Sequence, residues 1–461
     1  MIRKLLRKVF RRTGSVTEPA PALIPLEQHG IRRSQLSQVA CKTCTVLQEN
    51  GHAAYIVGGA VRDLLVGYPP KDYDVATSAT PEQVRALFRR SRIIGRRFKI
   101  VHVMSGRETI EVSTFRASHD SETAQTDEHG RVLRDNEYGN EIEDASRRDF
   151  TVNALYYDPT REVIIDYHHG VADLQQKTLR MIGEPRARYR EDPVRMLRAV
   201  RLGAKLGLSI DPAARNPIRE MAELLENVPA ARLFDEMLKL LFSGHAVKCL
   251  EQLRAEGLHH GLLPLLDVIL EQPMGERFVW LALANTDERV RADKSVSPGF
   301  LFATLLWHQV LGDWEARKRE GEPSQPALFA AMDAVLDTQS RKLAITRRIA
   351  GDVKDIWAMQ PRFEKRGGKS PYRLIEHPGY RAGWDFLRLR AQSGEIPMEI
   401  ADWWQDFAHA GHDQRETLVN QAPAPTAPAR KRRRRRKPAS GSNDGGATAN
   451  DESAIVRKDG D

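Results

Sequence analysis

The chain has 461 residues, more than the ~250–300 over which one hydrophobic core usually grows, so several domains are expected. It is 41% hydrophobic and 29% charged, with a mean hydropathy of −0.50, and no apolar run nears the ~20 residues of a membrane span, which excludes a helical membrane protein. Three cysteines, Cys41, Cys44 and Cys249, are too few for a disulfide framework and point to a reduced, cytoplasmic protein, while the formal net charge of +9 is concentrated at the two ends and leaves the stretch between them close to neutral.

Residues 1–30 are expected to form a basic, flexible segment. Within it Ile2, Leu5, Leu6, Val9 and Phe10 fall on one helical face with cations opposite, a pattern suited to peripheral membrane contact and similar to an organellar transit peptide. An α/β head is expected over 31–180, because the runs AAYIVGG, KDYDVAT, FKIVHVMS, TIEVSTFR and REVIIDYH alternate with helical stretches such as PEQVRALFRRS. CKTC at 41–44 lacks a second ligand pair to complete a zinc set, so its cysteines read as helix-facing. After about residue 185 the strands stop. VRMLRAVRLGAKLGL, ARLFDEMLKLLFSG and VKCLEQLRAEGL predict a helical neck over 181–270, with a helical C-terminal domain over 271–420. Residues 421–461 are Pro/Ala-rich, then polybasic, then GSNDGGATANDES, a composition that predicts a disordered tail able to attract phosphates without reading sequence.

The chemistry concentrates in YIVGGAVRDLLVGYPPKDYDVA at 55–76. Asp72 and Asp74 are two apart, and on a strand that spacing turns both carboxylates to one face, where they can share Mg²⁺ with substrate phosphates. Gly58 and Gly59, at the mouth of a predicted helix, allow close backbone approach to an anion, and Arg62 adds positive charge. A two-metal site needs a third carboxylate. Glu111 in TIEVSTFR and Asp149 in ASRRDFTVNALYYD are both candidates, and spacing alone does not choose between them.

In order, GGAVRD, DYD, EVSTFR, RRDFTVNALYYD and REDPVRMLRAVR resemble the class II template-independent nucleotidyltransferases of the DNA polymerase beta superfamily, the family of bacterial poly(A) polymerases and tRNA CCA-adding enzymes. The resemblance spans roughly residues 50–260 and implies a nucleotidyltransferase head with a mixed sheet, then an all-α neck, body and RNA-binding region. It further implies that Gly58, Gly59 and Arg62 hold a triphosphate, that Asp72 and Asp74 bind catalytic Mg²⁺ or Mn²⁺, and that Asp149 and Arg148 are an active-site carboxylate and a nucleotide contact. The EDxxR element maps to Glu191, Asp192 and Arg195, which would read the base edge from one helix, with Arg198 and Arg201 further along it for phosphate or base contacts. Between the branches, IIGRRFKIVHV at 93–103 resembles the form found in bacterial poly(A) polymerases, which implies AMP transfer from ATP to RNA 3′ ends in support of RNA turnover. A monomer is expected, with an RNA helicase or degradation machinery as partners. The rival readings are a tRNA CCA-adding enzyme and an inert RNA-binding protein. A phosphohydrolase would need a metal-binding His-Asp set, and the one HD, His412–Asp413, lies far from the motifs.

Overall fold

The computed structural model describes residues 20–95, 99–117, 138–258, 273–341 and 343–422. The amphipathic N-terminal stretch, Arg96 and Arg97 of the IIGRRFKIVHV run, His259 and His260, and the polybasic tail lie outside those residues.

The head is built on eight strands: β1 (Ala22–Pro25), β2 (Ala54–Val57), β3 (Asp74–Thr77), β4 (Ser91–Ile94), β5 (Ile100–Ser105), β6 (Glu108–Thr114), β7 (Leu155–Asp158) and β8 (Val163–Asp166). They form one sheet in the order β1-β8-β7-β2-β3-β6-β5-β4. Only β3 and β6 run parallel, so the sheet is mixed. Alternation along the strands sends Ile56, Val75, Val101, Ile110 and Val112 into a core shared with the helices Gln38–Glu49 and Pro81–Leu87. The opposite face carries a small cluster of Val57, Ala76, Phe115, Tyr156 and Ile165, and Asp74 at the start of β3 is in register with Glu111 in the middle of β6. Cys41 and Cys44 are buried in the Gln38–Glu49 helix with thiol pKa values pushed up by burial, which makes them packing residues.

Two boundaries differ from expectation. Ala22–Pro25 pairs antiparallel with β8 and leads into the turn of helix Leu26–His29, so the head takes in residues assigned above to a flexible segment ending at 30. The ALIP run is too short to show a period, and its proline is tolerated because β1 is an edge strand. Strands also continue past 185, since Ser209–Ile210 (β10) pairs in parallel with Thr178–Leu179 (β9) and ties the neck to the end of the head.

The neck begins with helix Pro185–Glu191, which stops at Asp192 (φ −149°, ψ 91°) because Pro193 disfavours helical geometry in the residue before it. A second helix, Val194–Leu206, then runs to Gly207, whose left-handed φ of 65° ends it. Val194, Met196, Leu197, Val200 and Leu202 bury one side of this helix against the helices Ala230–Leu241 and Ala246–Glu256, while Arg195, Arg198, Arg201 and Lys205 line a cavity toward the head. The helices Pro298–Arg319, Arg347–Phe363 and Tyr380–Ser393 continue the same core through Phe302, Trp357 and Phe386, and a second cluster around Trp404 closes the C-terminal end.

Candidate active site

A cavity of ≈ 980 Å³ opens between the head and the neck. Gly58, Gly59, Arg62, Asp72, Asp74, Arg148 and Asp149 line it from the head, and Asp192, Arg195, Arg198 and Arg201 from the neck. Residues from positions as far apart as Gly58 and Arg291 are thus gathered around one space.

Asp74 is the first residue of β3, and its Cα register partner across the parallel pairing is Glu111. Asp72 lies two residues before the strand, not on it as the two-residue spacing suggested, so an irregular segment rather than strand alternation carries the first carboxylate to the cavity. Desolvation, then Glu111, pushes the Asp74 pKa up to about 6, with Asp72 adding to the rise and Arg148 opposing it. Glu111 faces His102 on β5, Nε2 to Oε1 3.4 Å. Asp149 is held differently. Its Oδ1 accepts from the Phe150 N–H at 2.8 Å and from Asn153 Nδ2 at 3.0 Å, and its Oδ2 pairs with Arg198 Nη2 at 2.6 Å. Burial works against its charge, but Arg198 and these hydrogen bonds leave its pKa lowered. Of the two candidates for a third carboxylate, Glu111 stands in register with Asp74 but is not among the residues lining the cavity, whereas Asp149 lines it with its carboxylate held by Arg198 and Asn153.

The cations are braced by acids. Arg62 turns inward, with Nε on Asp63 Oδ1 at 2.8 Å and Nη1 on Asn153 Oδ1. Asp63 also receives Lys205 Nζ from the neck at 3.0 Å. Arg148 donates from Nε to Tyr156 Oη at 2.9 Å and pairs through Nη2 with Asp144 at 3.0 Å; burial opposes its charge, yet Tyr156 and Asp144 keep its pKa raised. Gly58 adopts φ 69°, and a Cβ there would lie 3.3 Å from Arg148 Nη1, so glycine allows the β2 turn to sit under the guanidinium. The helix after it, Gly59–Leu65, is only seven residues long.

The EDxxR element departs from the helical geometry expected of it. Asp192 sits in the break between two helices and pairs with Arg232 Nη2 at 2.5 Å. Arg195 donates from Nη1 to Glu191 and to the Arg188 carbonyl, each at 2.8 Å. Arg201 reaches Glu236 at 3.9 Å, and burial lowers its pKa. Sequence reasoning missed Asn153, Asp63, Lys205, Arg232 and above all Arg188, whose Nη2 donates to the carbonyls of Arg147 and Arg148 at 2.6 Å each. Asn153 lies inside the RRDFTVN motif and Asp63 inside GGAVRD, next to Arg62, and both could have been found there; Lys205, Arg232 and Arg188 depend on contacts distant in sequence. His412 and Asp413 are fully exposed, 3.6 Å apart at the start of a surface helix, and form no site.

A mixed sheet that presents paired carboxylates to a cation-lined cavity against a helical neck defines a nucleotidyltransferase. Residues 54–180 match the family described as "Poly A polymerase head domain", 207–270 match "Probable RNA and SrmB- binding site of polymerase A", and 320–438 match "Polymerase A arginine-rich C-terminus". Poly(A) polymerase I of Salmonella typhimurium is 44% identical over 92% of this chain and 95% of its own length. The CCA-adding enzyme of Geobacillus stearothermophilus is 37% identical, but over 53% of this chain and 59% of its own. The crystal structure of the Bacillus stearothermophilus CCA-adding enzyme with CTP superimposes with a TM-score of 0.55 at 26% identity, covering 84% of this chain and 88% of that one. The chain belongs to the bacterial poly(A) polymerase family.

Proposed function

We propose that this chain extends RNA 3′ ends without a template, transferring AMP from ATP to the terminal hydroxyl with release of pyrophosphate. The observation that carries the reading is the cavity where Asp72 and Asp74 meet Gly58, Arg148 and the arginines of the neck. High identity across nearly the whole chain to a poly(A) polymerase, against a match to CCA-adding enzymes limited to about half of it, supports the polyadenylating branch.

Asp72 and Asp74 line the cavity and Glu111 stands in register with Asp74, oxygen donors of the kind a divalent cation takes together with substrate phosphates, although among the described residues no three His, Cys, Asp or Glu side chains gather closely enough to form a metal site by themselves. Burial, then the Glu111 charge, raises Asp74. Mg²⁺, with Mn²⁺ as a substitute, would be held there and would supply Lewis-acid charge stabilisation to the attacking and leaving oxygens. The protein's own part is positioning. Gly58 leaves room for the triphosphate beside Arg148, which keeps its charge through Asp144 and Tyr156. Asp149 fixes Arg198 at the head–neck seam, and Asp192 with Arg195, on either side of the Pro193 break, offers an acceptor and donors to the adenine edge. The hydroxyl of the RNA end attacks the α-phosphorus in line, losing its proton as the new phosphodiester forms and the bond to pyrophosphate breaks. The enzyme is read as a cytoplasmic monomer with a helicase or degradation partner. No described helix is long and apolar enough to cross a membrane.

Asp72→Ala and Asp74→Ala are expected to abolish AMP incorporation while RNA binding in a mobility-shift assay stays within about twofold of wild type. Substantial turnover in either variant would overturn the assignment of these carboxylates.

A further inference from the structure

The cavity has a second end that the nucleotide reading leaves unused. On the head side, the loop after helix Gly59–Leu65 turns at Gly67 (φ 79°) and is pinned by Tyr68 N–H donating to the Asp63 carbonyl at 2.8 Å. Pro69 and Pro70 then stiffen the run to Lys71 and Asp72, so the Tyr68 ring stands on the cavity wall four positions before a catalytic carboxylate. It is 46% exposed, and no hydrogen bond or aromatic contact engages the ring among the described residues. From the helical region, Phe242, Gly244, His245 and Arg291 line the same cavity. Arg291 is exposed at the end of helix Pro273–Arg291, its stem packed beside Gly244.

The cations of the cavity separate by how they are satisfied. Arg62, Arg148, Arg195, Arg198, Arg201, Lys205 and Lys239 each have a carboxylate within ion-pairing distance. Lys71 and Arg291 have none among the described residues, and the buried carboxylate nearest that wall, Asp287, is taken up by the N–H groups of Ala246 and Val247. An exposed ring and a guanidinium free of an ion pair, lining one cavity, match the two chemistries of a single-stranded nucleic acid, base stacking and phosphate charge.

We propose that this outer end holds the RNA primer, with a base near its 3′ end stacked on Tyr68 and a backbone phosphate held by Arg291. The inference rests on the polyadenylation reading above, and it specifies where that reaction's RNA substrate sits.

The test uses the full chain, an oligo(A) primer and ATP with Mg²⁺. Tyr68→Ala should weaken primer binding and raise the primer KM about tenfold, the size of one base–aromatic stack, with the ATP KM unchanged. Tyr68→Phe should restore both, since it keeps the π face and loses only the hydroxyl. Arg291→Ala should weaken primer binding and make the slope of log K against log salt shallower by about 0.7, one single-strand phosphate contact, whereas Tyr68→Ala leaves that slope unaltered. Wild-type primer KM in both alanine variants, or an equal loss in Tyr68→Phe and Tyr68→Ala, would overturn the proposal. Failure of the wild-type protein to extend the primer would instead overturn the polyadenylation reading beneath it.

Discussion

Arg188 offers the most direct perturbation of the seam on which the site depends. It sits on helix Pro185–Glu191 of the neck, where its Nη1 donates to Glu191 at 2.8 Å, yet its Nη2 reaches the head with two 2.6 Å bonds to the carbonyls of Arg147 and Arg148, the residues before Asp149. Burial, then Arg195, pulls its pKa down to about 10, so it remains protonated at neutral pH and both bonds keep a charged donor. Bonds of that type contribute ~1.5–3 kcal/mol each. Arg188→Ala removes both, and because water can enter the space left, the lower values apply, giving about 3 kcal/mol against the docked neck, or roughly 100-fold in that equilibrium. ATP affinity, measured by equilibrium binding of a fluorescent analogue, should fall by about 10-fold or more, and kcat/KM should fall with it. Arg188→Lys, able to reach one carbonyl, should recover part of the loss. An Arg188→Ala protein with wild-type ATP affinity and turnover would refute the idea that this clasp aligns Arg148 and Asp149.

The remaining predictions separate the roles of the carboxylates and the glycine turn. Glu111→Gln should reduce AMP incorporation at least 100-fold with RNA affinity intact, as expected for loss of transition-state charge stabilisation; Asp149→Asn should chiefly lower stability and ATP binding, by up to ~3 kcal/mol, because Arg198 loses its buried partner. The opposite pattern in steady-state kinetics and thermal melts would reassign the third carboxylate. Because Asp74 is raised to about 6, divalent-ion affinity should fall as pH drops through 6, with proton release on binding that calorimetry can detect; affinity independent of pH from 5 to 7.5 would contradict it. The same shift means that the ion-free protein loses stability as pH rises from about 4 to 6, since the folded state there binds the extra proton. Gly58→Ala, forced to a φ of 69° and 3.3 Å from Arg148, should destabilise by about 1–3 kcal/mol and raise the ATP KM; an unchanged melting temperature and KM would contradict the close approach inferred there.

The strands that carry the chemistry were legible because their apolar alternation is strong, and the parallel register then joined Asp74 to a glutamate 37 residues away that sequence could only nominate. β1 and the β9–β10 pair were hidden by their length, at four and two residues. Asp192 shows how a local rule yields to a neighbour: an i, i+3 pair on one helix was expected, but Pro193 breaks the helix between the partners and leaves Asp192 to Arg232. Arg62 was read as a free phosphate ligand, and its inward turn onto Asp63 and Asn153 follows from burial, which no spacing reveals. Arg188 was invisible for the same reason, since its acceptors are backbone carbonyls about 40 residues upstream that carry no side-chain signature.

The central claim is tested most directly by supplying the protein with Mg²⁺ and each nucleoside triphosphate in turn, on two substrates: a generic RNA oligomer and a tRNA lacking its terminal CCA. Long tails on the generic oligomer that grow with ATP alone are the predicted result. Addition confined to C, C and A on the tRNA would contradict the account and move the enzyme to the CCA-adding branch, and extension of neither would leave a protein that only binds RNA.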